Sequence, residues 1–289
     1  MNIAQALAQA KTLGLKHLEV QTLLLHALGR DLHDRAWLVL HDLDEPSLDT
    51  LQAFNTLVQR RLRQEPLGYL TGSQDFHGLK LSVDQRVLVP RPDTETLVDW
   101  ALERVQELTS PTVLDLGTGS GAVALAIARH CPRAQVSASD VSSDALAVAQ
   151  ANAERLGLPV QFALGPWLTP WSGQRFDLIV SNPPYVAEAD PHWPGLRHEP
   201  RLALASGADG LDDLRWLVAH AAEHLHPGGW LLLEQALLEE RRLNQPLASM
   251  GLLERRSGLV GAAPPTPPPP TERPSLGAVL EHCSREFLD

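Results

Sequence analysis

Between Pro111 and Glu234 the chain alternates short apolar runs with helical patterns, and this alternation limits its possible folds more than any other feature. "TVLDLG", "AQVSASD", "VQFAL", "FDLIVSN" and "WLLLE" read as strands. "SGAVALAIARH", "SSDALAVAQANAERLG" and "LDDLRWLVAHAAEHLH" between them read as helices. Strands that alternate with helices build a mostly parallel sheet, because each crossover helix returns the chain to the same edge and covers a face. The expected class is α/β, and such sheets bind ligands at the carboxyl ends of their strands.

The flanking segments differ. Residues 1–72 read as all-helical: Ile3, Ala6, Leu7 and Ala10 share one helical face, and Leu48, Leu51, Leu57, Val58 and Leu62 repeat the pattern, with Ser47 or Asp44 as a cap. Pro66, Gly68 and Gly72 end it. Residues 73–90 read as a hairpin linker with a polar turn at Asp84–Gln85, and the sheet domain runs over residues 91–260. Residues 261–289 hold "APPTPPPPTERP", a proline-rich tail expected to be disordered. The net charge of −11 argues against a broad nucleic-acid footprint, which needs clustered Lys and Arg. Cys131 and Cys283 are too few for a disulfide framework or a cysteine-based zinc site. No apolar run reaches the roughly 18 residues of a membrane span, and "MNIAQALAQA" lacks the pattern of a signal peptide. A soluble cytoplasmic protein is expected.

Two motifs fall at strand ends. Gly117, Gly119 and Gly121 in "DLGTGSG" follow the first strand and open a helix; glycines there let a ligand approach the backbone, although a tight strand-to-helix turn would also use them. Asp140 ends the second strand, where it can accept from ribose hydroxyls or simply cap the next helix. Together they favour a nucleoside cofactor, without separating a dinucleotide from S-adenosylmethionine.

The second motif is Asn182-Pro183-Pro184-Tyr185, directly after the apolar strand that ends in Ser181. An amide or aromatic amine nitrogen is a poor nucleophile, because its lone pair is delocalised. The side-chain carbonyl of Asn182 and the backbone carbonyl of Pro183 can each accept one N–H of a substrate NH₂ group, orienting the nitrogen and stabilising the positive charge that grows on it. The prolines fix φ and remove competing donors. Tyr185 offers a flat face to a planar amide or base. No strong base is needed, since the methylated cation loses its proton readily. His77, His192 and His198 lack metal-ligand spacing and read as surface or capping residues; no metal site is expected.

With these motifs the sequence resembles the amino-methyltransferases, and more closely the bacterial release factor glutamine methyltransferase family. "EPLGYLTGSQDFHGLKLSVDQRVLVPRPDTETLVD", "DLGTGSG", Asp140, Trp167, "SNPPY" and "HEPRLALASGADGLDDLR" carry the resemblance over roughly residues 1–234. It implies a Rossmann-like methyltransferase sheet with a small helical N-terminal domain that docks the substrate. It implies S-adenosylmethionine held by Gly117, Thr118, Gly119, Ser120, Gly121 and Asp140, beside Trp167 and Asn182. It implies peptide chain release factors as partners, with the glutamine of their Gly-Gly-Gln loop held by Asn182, Pro183, Pro184 and Tyr185. Asn182, Pro183 and Tyr185 would be the catalytic set, and Arg91, Pro92 and Glu95 would line the entry.

The sequence departs from the family in two places. Pro166 stands where an Asp commonly precedes the tryptophan, near the adenine amine. After the fifth strand, Gln235 and Ala236 replace a usual His-Gly, and prolines follow. A helix over 235–249, at most one short strand between Leu252 and Val260, and no final hairpin strand are therefore expected. Three other readings share the motifs: adenine amino-methylation of nucleic acid, glutamine methylation of a ribosomal protein, and cofactor binding with impaired catalysis.

Overall fold

The structure is a computed structural model that describes residues 1–234, 254–256 and 259–262. The chain begins with five helices, α1 (Ile3–Thr12), α2 (His17–Ala27), α3 (Arg35–Leu40), α4 (Leu48–Leu62) and α5 (Leu67–Thr71). They enclose their own core of Ile3, Ala6, Leu23, Leu24, Leu25 and Phe54. Ser47 rather than Asp44 caps α4, its hydroxyl accepting from the Thr50 N–H at 3.1 Å. Leu51, Leu57 and Val58 of α4 are buried, whereas Leu48 at 84% and Leu62 at 36% exposure face outward, and Phe54 takes the central place.

A two-stranded hairpin follows, β1 (Ser73–Phe76) and β2 (Leu79–Ser82). Its turn is at His77–Gly78, not at Asp84–Gln85 as the pattern suggested. Both turn residues have positive φ, +47° and +76°, the conformation that matches the twist of a two-residue hairpin. The Asp84 carboxylate instead folds back on the Arg86 N–H at 3.0 Å, forming a local turn outside the hairpin.

Helix α6 (Asp93–Val105) leads into the main sheet: β3 (Thr112–Leu116), α7 (Ala122–His130), β4 (Gln135–Asp140), α8 (Ser143–Leu156), β5 (Gln161–Leu164), β6 (Phe176–Ser181), a short α9 (Trp193–Leu196), α10 (Asp212–His220), β7 (Leu225–Glu234), β8 (Glu254–Arg256) and β9 (Leu259–Ala262). The strand order is β5-β4-β3-β6-β7-β9-β8. The first five are parallel, and β9 and β8 are antiparallel additions at one edge. One face buries Leu97, Trp100, Leu125 and Ile127, the other Leu114, Trp171, Leu214 and Leu217.

The ending corrects the expectation for the C-terminus. Two strands, not one, are present, and β9 pairs with β7 from Leu231↔Ala262 to Glu234↔Leu259, so the sheet does carry a terminal hairpin. Proline offers no N–H to a ladder, and Leu259–Ala262 contains none. Of the tail expected to be disordered over 261–289, Gly261 and Ala262 are instead paired in β9; its remainder and the helix expected over 235–249 lie outside the described residues.

Candidate active site

The sheet register builds the site. Leu116, Ser139, Ser181 and Leu233 form one row across β3, β4, β6 and β7. The next residue on each strand is Gly117, Asp140, Asn182 or Glu234, so four residues distant in sequence share one rim. A cavity of about 320 Å³ opens there, lined among others by Gly117, Gly119, Asp140, Trp167, Asn182 and Pro184, within the range expected of a small-molecule site.

The glycine turn is braced from beneath. Asp115 is buried, and its Oδ2 accepts from the Thr118 hydroxyl at 2.7 Å and the Ala124 N–H at 3.2 Å. Burial holds its carboxyl up at about 7, against those two donors. Buried Asn152 ties the turn to the hairpin, its Nδ2 donating at 3.0 Å to the carbonyls of both Ser120 and Ser82. Gly121 takes φ +84°, and a Cβ there would lie 2.9 Å from Leu125 Cδ1. Gly119 has φ +56° and no protein atom within 4 Å of where a Cβ would stand, so the turn presents open backbone to the cavity.

Asp140 holds the rim from the neighbouring strand. Its carboxylate accepts from the Gly119 N–H and the Ser142 N–H, both at 2.9 Å. Burial pushes its carboxyl up, opposed by these N–H donors. Each oxygen keeps a lone pair for a ligand hydroxyl. Trp167, at the strained φ of +45°, stands over the turn: a Cβ on Gly117 would lie 3.6 Å from its ring. Pro166 also lines the cavity and brings no side-chain acceptor. Open glycine backbone, an acid and a flat indole around a cavity of this size fit a nucleoside cofactor.

Beyond Ser181, whose hydroxyl donates to the Leu116 carbonyl at 2.7 Å, the chain turns into Asn182–Tyr185. The segment is clamped from behind by the Val186 N–H on the Leu204 carbonyl at 2.7 Å and the Ser206 N–H on the Val186 carbonyl at 3.0 Å. Asn182 Nδ2 donates to the Thr94 hydroxyl at 3.2 Å. Pro183 is buried, and Tyr185 packs against the core on one sheet face, where burial pushes its phenol up and keeps it protonated. Neither Pro183 nor Tyr185 lines the cavity itself; both stand next to residues that do.

The other expected entry residues are engaged elsewhere. Arg91 pairs with Glu199, which is buried and also accepts from the Val89 N–H at 3.1 Å. Glu95 is not at the cavity; its carboxylate accepts from the His77 N–H at 2.8 Å at the hairpin turn. His77, His192 and His198 meet Asp99, Asp190 and the Arg63 carbonyl. Among the described residues no group of three or more His, Cys, Asp or Glu could hold a metal ion, and no helix is long and apolar enough to cross a membrane.

Sequence reasoning did not single out Thr94, Glu199 or Glu234 as members of the site. Thr94 lies within "PRPDTE", and Glu199 lies within the "HEPRLAL" segment. Glu234 carried a usable signal, an acid ending an apolar strand, as Asp140 does. Burial holds its carboxyl up at about 7, while hydrogen bonds from Thr94 and Asn182 act the other way.

The parallel sheet, the glycine turn, the acid on the next strand and the cavity between them form a nucleoside-cofactor site, and the match to a methyltransferase family makes this an S-adenosylmethionine-dependent methyltransferase. Residues 94–193 match the methyltransferase small domain family, and residues 2–72 match the PrmC N-terminal domain. The catalytic domain of hMettl16, solved in complex with MAT2A 3'UTR hairpin 1, superposes with a TM-score of 0.52 at 14% identity, over 75% of this chain and 94% of that one, a likeness of fold alone. The release factor glutamine methyltransferase of Xylella fastidiosa (strain Temecula1) is 46% identical over 86% of this chain and 90% of its own length. That of Bordetella pertussis is 45% identical over 84% and 90%. The chain belongs to the release factor glutamine methyltransferase family.

Proposed function

We propose that this chain methylates the side-chain amide nitrogen of the glutamine in the Gly-Gly-Gln loop of peptide chain release factors. What supports the reading is the position of Asn182: one residue past the paired row, on the cavity rim shared with Gly117 and Asp140, with its N–H side taken up by Thr94. Its carbonyl oxygen then serves, with the Pro183 carbonyl, as an acceptor pair for the two N–H groups of the glutamine amide. The pair fixes the nitrogen and takes up positive charge as it grows. Tyr185 bounds the far side of the amide. When bound, S-adenosylmethionine supplies an electrophilic methyl group; Gly117–Gly121, Asp140 and Trp167 would hold it. The helices of residues 1–72 would dock the body of the release factor.

The test is transfer of label from tritiated S-adenosylmethionine. Label in an undermethylated release factor, lost when the loop glutamine is replaced, is the expected result. Label in unmethylated DNA, or in a ribosomal protein in place of the factor, would overturn the proposal.

A further inference from the structure

Glu234 ends the apolar strand "WLLLE" and is 6% exposed, with its Oε2 buried and without a hydrogen-bond partner. Burying a carboxylate with an unsatisfied oxygen costs free energy, and an apolar residue would complete the strand at lower cost. Its position suggests what the acid is for. Glu234 and Asn182 follow the paired residues Leu233 and Ser181 on adjacent strands, and Thr94 of α6 stands by both. Thr94 is 4% exposed, Asn182 Nδ2 donates to Thr94 Oγ1 at 3.2 Å, and both side chains act to hold the Glu234 carboxyl down against its burial.

Chemistry sets the direction of this chain. An ionised carboxylate only accepts, so the Thr94 hydroxyl donates to Glu234 and offers its own lone pair to Asn182. The side that meets Thr94 and Glu234 must then be the NH₂ of Asn182, which leaves Oδ1 as the atom available to the cavity. The opposite rotamer would set the amide oxygen against two acceptors and turn donors toward a substrate that also brings only donors. We propose that Thr94 and Glu234 are positioning residues that hold the Asn182 side chain with its carbonyl oxygen turned to the substrate. This inference rests on the reading of Asn182 as an acceptor for the substrate amide.

The groups facing Glu234 are Arg91, Asp93 and Thr94 on the α6 side and Asn182 and Tyr185 beyond β6. Once protonated, Glu234 can donate, the direction of the chain is no longer fixed, and Asn182 can turn. Turnover should therefore fall as pH drops through about 7.

The test uses the full chain with undermethylated release factor, and reads kcat, KM, cofactor affinity by calorimetry and the pH profile. Thr94→Val should lower kcat on the order of 10- to 100-fold, the range for loss of orientation by a small displacement, with cofactor affinity unchanged; Thr94→Ser should restore most of it. In an Asn182→Ala background Thr94→Val should cost nothing further, because nothing is left to orient. Glu234→Gln should lose the acidic limb of the kcat profile. Losses from Thr94→Val and Asn182→Ala that multiply, or a wild-type kcat in Thr94→Val beside an impaired Asn182→Ala, would overturn the positioning role alone. A wild-type kcat in Asn182→Ala would overturn the acceptor reading and the inference with it. Should Thr94→Val fail to fold, an unchanged acidic limb in Glu234→Gln overturns the proposal.

Discussion

Gly210 decides where Tyr185 can stand. It takes φ +80°, and a methyl group added to it would collide with the Tyr185 carbonyl and lie 3.2 Å from the Ala187 nitrogen. Gly210→Ala therefore meets a left-handed backbone, which costs a side chain about 1–2 kcal/mol, and a contact that can be relieved only by moving the Asn182–Tyr185 segment. Its expected outcome is a lower melting temperature and a lower kcat, with cofactor affinity by calorimetry much less affected, because the glycine turn and Asp140 are on other strands. Asn182 itself acts at the same scale. Asn182→Ala removes one of two preorganised acceptors, a loss that typically costs about 10²–10³ in turnover. Single-turnover kinetics beside calorimetry should show turnover falling far more than cofactor affinity.

The helices α1–α5 form an element with a core of its own, Ile3, Leu23, Leu24 and Phe54 among it. Polar contacts join them to the rest: Arg197 donates to the Arg63 carbonyl at 2.5 Å, the His198 ring meets the same carbonyl at 2.9 Å, and His33 meets Asp75 at 2.8 Å. The cavity, by contrast, is lined entirely from Arg86 onward. A chain beginning at Ser73, which keeps the hairpin, is thus expected to bind S-adenosylmethionine in calorimetry with nearly unchanged affinity, yet to lose affinity for the intact release factor. Equal affinity of the shortened and full chains for the factor would count against a docking role. The hairpin must stay, because Asn152 joins Ser82 to Ser120 of the glycine turn.

Across the whole molecule, two buried acids give stability a pH slope. Asp115 and Glu234 are both held up at about 7, from ordinary values of 3.8 and 4.5. Between those limits the folded chain binds more protons than the unfolded one, so the stability these groups contribute is fully present below their unfolded values and is lost as pH rises through about 7. Glu65 and Asp84, held below their ordinary values of 4.5 and 3.8 by Arg60 and Arg86, have the opposite sign and act at lower pH. Urea midpoints measured from pH 5 to 7.5 should therefore show a flatter fall in Asp115→Asn and in Glu234→Gln than in the wild type. A wild-type slope in both would sink the assignment.

Local pattern made much of this protein legible. Strand and helix periods gave the α/β class, the five parallel strands and the helical start, because burial on one or both faces writes its period directly into the sequence. Glycine spacing, Asp140 and Asn182–Tyr185 marked the cofactor and amide chemistry, since each motif is contiguous and tied to a strand end. The hairpin turn was misplaced because Asp84–Gln85 looks as turn-like as His77–Gly78, and only pairing in space separates them. The terminal hairpin is not legible because Leu259–Ala262 is too short to show a strand period and is closely followed by prolines that deny a ladder its donors. Tertiary structure alone decided which strand ends meet: the row Leu116, Ser139, Ser181, Leu233 brings Glu234 beside Asn182, and α6 lays Thr94 against both. It also turned Glu95 away to His77. Such partnerships depend on register and helix placement, which belong to the folded sheet as a whole and to no single stretch of the chain.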